Sequence, residues 1–122
     1  METANEFTHR LSNAVNCGWH STMTRKSLKA YEQPPKGRPK NVFGWVKDEA
    51  TTFRISTYAC LADDLGRSEA DRVKEGGMFG EEDTLFFYVK SDSSGPDFQK
   101  AVRTLKVVRA NVKNWPLLRN PA

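Results

Sequence analysis

The chain has 122 residues, of which 38% are hydrophobic and 28% charged, and its formal net charge is +4. A chain of this order fits one domain and buries roughly 65–70% of its unfolded surface, enough for a core without metal or disulfide staples. The composition excludes a disordered chain, and no apolar run approaches the ~18 residues that a membrane helix needs.

In chain order, Met1 to Glu6 carries neither the basic nor the apolar region of a secretory signal, so a cytoplasmic setting and no membrane partner are expected. Thr3, with Glu6 three residues on, forms a capping box. Phe7, Leu11, Ala14 and Val15 then recur at helical spacing, which predicts a helix over 3–16 with Gly18 as its C-terminal stop. Residues 19–33 fit either a short helix through Arg25–Glu32, capped by Thr24, or an extended segment. Pro34-Pro35 ends any such helix. Residues 33–40, Gln-Pro-Pro-Lys-Gly-Arg-Pro-Lys, read as a stiff, basic, proline-rich surface loop.

Two runs rich in aromatic and β-branched residues follow, Asn41–Lys47 and Thr52–Cys60, and a short polar link between them predicts a β-hairpin. In the second strand, Phe53, Ile55, Thr57 and Ala59 form a core face, and Arg54, Ser56, Tyr58 and Cys60 the other. Residues 61–75 read as a helix, with Asp63 and Asp64 near its start and Arg72 and Lys74 near its end. Gly76 to Asp83 reads as a glycine-rich acidic loop. Thr84–Ser91 is a strand that is apolar on both faces, the pattern of a central strand covered on each side. After a turn at 92–96, Phe98, Ala101, Val102, Leu105, Val108 and Val112 lie on one helical face. The pair Val107-Val108 supports the rival of a helix to about 104 and a strand over 105–112. Trp115, Leu117 and Leu118 are expected to dock back on the body.

The charge is segmented. Residues 25–47 hold seven basic residues against Glu32 alone, a net of +6, and 84–122 hold seven against two acids, a net of +5. Between them, 48–83 carry ten acids against four bases, a net of −6. Two basic segments brought side by side by the fold would attract phosphate. The bland alternative is mutual neutralisation across the fold.

Phe43-Gly44-Trp45-Val46 has the aromatic-Gly-aromatic order found in the middle of the RNP1 pattern of RNA-binding sheets. Asn41-Val42 and Asp48 depart from that pattern and the companion strand is misplaced, so no family is assigned; glycine there also serves an ordinary crowded hairpin. Arg54, Tyr58, Tyr88 and Lys90 share one face of the expected sheet with one of the Phe43 and Trp45 rings, an interleaving of cations and aromatics suited to single strands. The two-sided apolar pattern of 84–89 favours instead a face buried beneath the C-terminal helix. That helix carries Lys100, Arg103, Lys106, Arg109 and Lys113, a phosphate-facing or a solvated surface.

Cys17 and His20, with Cys60 and His9, could complete a zinc set, but no second ligand pair stands beside them and no metal ligand is assigned. Nor is Cys17 with His20 assigned as a nucleophile and base, and whether Cys17 pairs with Cys60 is open. The acids at 63–64 and 81–83 could hold a divalent metal for a metal-dependent enzyme, yet Gly76-Gly77 lacks the Gly-Lys-Ser/Thr of a phosphate loop.

The expectation is a single α+β domain over 1–122. Its mostly antiparallel sheet has three to four strands, packed against N- and C-terminal helices, and the 61–75 helix crosses between strands. Function is expected to be non-enzymatic binding of nucleic acid, without a cofactor, through a basic loop and a basic C-terminal helix. The contacts would be Lys36, Arg38, Lys40, Trp45, Arg54, Tyr58, Lys90, Arg103 and Lys106. The alternative is a protein–protein inhibitor or adaptor, of a kind that mobile elements also encode, acting through the acidic middle segment and the Gly76–Asp83 loop.

Overall fold

The computed structural model describes residues 1–21, 26–29, 42–58, 62 and 84–112. Helix α1 (Ala4–Val15) is followed by strands β1 (Trp19–Ser21), β2 (Lys26–Lys29), β3 (Val42–Asp48), β4 (Thr52–Tyr58) and β5 (Thr84–Lys90), and helix α2 (Pro96–Val112) comes last. The strands form one antiparallel sheet in the order β1-β2-β3-β4-β5, so each strand pairs with its neighbours in sequence. The fold is α+β, as expected, with five strands rather than three or four. The loop at 33–40, the helix at 61–75, the loop at 76–83 and the docking of Trp115, Leu117 and Leu118 lie outside the described residues.

Helix α1 starts as its sequence dictates. Thr3 Oγ1 accepts from the Glu6 N–H and Glu6 Oε1 accepts from the Thr3 N–H, at 3.1 and 2.9 Å. It ends at Val15, three residues before Gly18, because Asn16 takes the left-handed conformation (φ 63°) and the Cys17 N–H returns to the Ser12 carbonyl at 2.9 Å. Asparagine tolerates that conformation better than most residues.

The region 19–33 resolves to strand where it is described. Leu28, within the Arg25–Glu32 stretch that could have been a short helix, sits on β2 opposite Gly44 of β3 and is fully buried. Residues 105–112 are helical: α2 runs unbroken through Val107-Val108, because Ala101, Val102, Leu105, Val108 and Val112 bury one continuous stripe against the sheet.

Both helices cover the same face of the sheet. Phe7 of α1 stacks on Phe53 of β4, centroids 4.4 Å apart, and meets Phe98 of α2 edge-on at 6.2 Å. A Cβ on Gly44 would lie 3.4 Å from the Leu105 and Leu28 side chains, which places α2 directly over β3 at this position. The registers Gly44↔Thr57↔Leu85, Val46↔Ile55↔Phe87 and Phe53↔Val89 then define the helical face, and all its residues from β4 and β5 are buried. Burial of this continuous apolar layer is the main source of stability.

The N-terminus is tied across the sheet's last turn. The Glu2 carboxylate accepts from Arg10 Nε at 2.9 Å, from an Arg10 terminal amine at 3.0 Å and from the Asp92 N–H at 3.0 Å. The Glu2 N–H donates to Ser91 Oγ, and Arg10 lies over the Phe98 ring at 4.2 Å. Asp97 ties the same turn to α2, accepting from the Lys90 N–H at 3.1 Å, the Phe98 N–H at 2.8 Å and Ser93 Oγ at 2.5 Å.

Candidate nucleic-acid interface

The residues singled out for binding fall on two opposite layers. Trp45, Arg54, Tyr58 and Lys90 belong to the outer face of the sheet, away from α1 and α2. Arg103 and Lys106 are exposed on α2, on the side turned away from the sheet. Lys36, Arg38 and Lys40 lie outside the described residues.

The outer face follows from strand alternation. Trp45 pairs with Ser56, which pairs with Phe86, and one step along, Lys47 pairs with Arg54, which pairs with Tyr88. Thr52 pairs with Lys90 at the end of the face. Neither α1 nor α2 covers it, which corrects the expectation that the C-terminal helix would bury the Arg54/Tyr88 surface. The second correction concerns β5. Among the described residues it pairs only with β4 and is an edge strand, not a central one. Its outward residues Phe86 and Tyr88 are half-buried and exposed respectively.

The rings divide into two sets. Tyr58 is 8% exposed, sets its ring edge-on to Trp45 at 5.4 Å and donates from its hydroxyl to the Val42 carbonyl at 3.3 Å. Trp45 is half-buried against the core. This pair consolidates the sheet and leaves little of Tyr58 for a ligand. Tyr88 is 55% exposed, and apart from Met1 it is the only strongly exposed large hydrophobic residue among those described.

Arg54 and Lys90 neighbour Tyr88 on the sheet, and Lys47 and Glu49 lie beyond Arg54. Arg54 lies across the strand pair from it, with its guanidinium carbon 4.9 Å from the Phe86 centroid. Arg54 Nε is 3.6 Å and Lys47 Nζ 3.9 Å from the same Glu49 Oε1, so two cations share one carboxylate without a hydrogen bond to it. Arg54 Nε is buried and makes no hydrogen bond. Lys90, exposed, stands two residues from Tyr88 on the same face.

The second surface is simpler. From Phe98 to Val112, α2 holds Lys100, Arg103, Lys106 and Arg109 and no acid. Lys100, Arg103 and Lys106 are exposed on successive turns, and Arg103 and Lys106 make no ion pair among the described residues.

The sequence singled out neither Lys47 nor Glu49 nor Phe86, and it noted Tyr88 without choosing it. The signal was available in the register. A polar link of this length places residue 47 opposite 54, and Glu49 then falls within reach of both cations.

Cys17 is free and half-buried, and burial raises its pKa to about 11, against a smaller opposing pull from Arg109. A thiol held protonated is a poor nucleophile and a poor metal ligand. Cys60 lies outside the described residues. No described helix is long and apolar enough to cross a membrane. Compared with protein-family models, with curated proteins and with solved structures, the chain has no match in any of the three.

Proposed function

We propose that this protein is a non-enzymatic nucleic-acid-binding domain that engages the phosphate backbone. The observation that carries it is the composition of α2. Four cations and no acid over residues 98–112 make a helix surface of one sign, whereas a surface serving solubility alone normally mixes both signs. Phosphate contacts from lysine and arginine release counterions, so affinity falls steeply with salt. Lys36, Arg38 and Lys40 are proposed to add to this field from the proline-rich segment.

The test is a polarisation titration with labelled single- and double-stranded DNA and RNA across a series of salt concentrations. Binding at low salt that weakens log-linearly with salt is expected. The double variant Arg103→Glu/Lys106→Glu should weaken binding to every nucleic acid and reduce the salt slope by about 2. Absence of binding to all four probes at low salt overturns the proposal.

A further inference from the structure

We infer that the outer face of the sheet is a platform for single-stranded nucleic acid, with a base stacked on Tyr88 and an adjoining phosphate displacing Glu49 from Arg54 and Lys47. This rests on the nucleic-acid reading above and adds a partner class and a second contact surface.

The argument starts from what Tyr88 forgoes. Its ring lies mid-strand, 55% exposed, while the neighbouring rings on this face, Trp45 and Tyr58, pack against each other. It is flanked by cations at the spacing of one sheet residue pair, Arg54 directly across the ladder and Lys90 two residues along. A ring with cations on either side fits a base followed by its phosphates, because stacking accepts any base and the charges track the backbone. The bases of a duplex are already stacked on each other, so a flat exposed ring selects single strands.

The ionic arrangement supplies the second half. Arg54 is fixed against the Phe86 ring and keeps 24% of its side chain exposed, so little of its freedom remains to be lost on binding. Glu49 neutralises part of the charge on Arg54 and Lys47, at 3.6 and 3.9 Å, but hydrogen-bonds to neither. A phosphate presents more acceptor oxygens and forms shorter, charge-assisted bonds with such cations. Glu49 therefore acts as an internal competitor. It keeps the two cations paired in the free protein and sets a threshold for anions that bring charge without a base to stack. Among the described residues, Lys47, Arg54 and Lys90 against Glu49 make this face net positive, the complement of a nucleic-acid strand.

The experiment uses the full chain with fluorescein-labelled oligo(dT) and oligo(U) of about 15 nucleotides, and a duplex of equal length. Tyr88→Ala should weaken single-strand binding about tenfold and leave duplex binding unchanged, whereas Tyr88→Trp should restore single-strand binding. Glu49→Gln should tighten single-strand binding about two- to fivefold, more than it tightens the duplex. Circular dichroism confirms that each variant is folded, as the exposure of both side chains leads one to expect. The inference is overturned if Tyr88→Ala binds single strands as the wild type does, or if Glu49→Gln weakens binding. A wild type that binds duplex and single strands alike, with Tyr88→Ala without effect, removes this inference and leaves the phosphate-binding proposal standing. A wild type that binds no nucleic acid removes both.

Discussion

The two faces of the sheet are built from alternate residues of the same strands, yet they solve different problems. On the helical face, Phe53, Ile55, Leu85, Phe87 and Val89 lie beneath α1 and α2, and Phe7 stacks on Phe53. On the outer face the sheet presents Lys47, Arg54, Tyr88 and Lys90, with Lys47 and Arg54 held by two ion pairs to Glu49 that lack hydrogen bonds and Arg54 by one ring contact. Part of the outer face, at Trp45 and Tyr58, also joins the core, and it is around Arg54 and Tyr88 that a ring and several cations stay exposed.

The sharpest way to break this comparison is to remove one ring from each face. Phe53→Ala should cost about 3–5 kcal/mol in urea unfolding, because the ring leaves a cavity among fully buried neighbours. Tyr88→Ala should cost less than about 1 kcal/mol. Equal costs would show that the outer face contributes to the core as much as the helical one does.

The next effect tests the clasp that holds α1 over the helical face. Glu2→Gln should cost about 1–2 kcal/mol at neutral pH, since it removes a charge-assisted, two-pronged pairing with Arg10. The hydrogen bonds from Arg10, against some opposing burial, hold the Glu2 pKa below its ordinary value of 4.5. The carboxylate's contribution is therefore fully present above that value and is lost as the pH falls through the lowered folded pKa. The difference in stability between wild type and Glu2→Gln should accordingly shrink in acid. A difference that stays constant down to acid pH would assign the effect to packing.

The smallest effect lies in the turn that carries Glu49. Ala50 has φ of 74°, the left-handed conformation that costs an L-residue about 1–2 kcal/mol. Ala50→Gly should raise the unfolding free energy by about 0.5–1 kcal/mol after the entropy of the more flexible unfolded chain is subtracted. The position of Glu49, and with it the affinity for oligo(dT), should be unchanged. A change in affinity would show that the strained turn itself sets the pairing with Arg54.

What the sequence made legible was what is local. The capping box of α1, the alternation of β3 and β4, and the apolar stripe of α2 each depend on residues a few positions apart. The strands β1 and β2 have three and four residues, too few for alternation to separate strand from helix. The two-sided apolar pattern of β5 pointed to a central strand because Phe86 looks like a core residue. In the fold its ring serves as the surface on which the Arg54 guanidinium rests. The site was partly legible for the same reason. Arg54 and Lys90 could be placed on one face by counting, but Tyr58 turns toward Trp45 through a contact between strands that no spacing encodes. Glu49 sits in a turn, where residues read as connectors, so its pairing with two cations emerges only once the hairpin register is fixed.

The clasp at Glu2 also has a consequence in time. Glu2 donates to Ser91 Oγ and accepts from the Asp92 N–H across 89 and 90 positions of the chain. At a synthesis rate of about 5–20 residues per second, α1 waits roughly 5–20 s for that turn to be made. During the wait the hairpins β1–β2, β2–β3 and β3–β4 can each close from neighbouring segments. Helix α1 can rest on them by its apolar stripe with the Glu2–Arg10 pair already made, while the bonds of that pair to Ser91, Asp92 and Ser94 wait until the β5–α2 turn emerges. A turn made late thus locks an early helix in place.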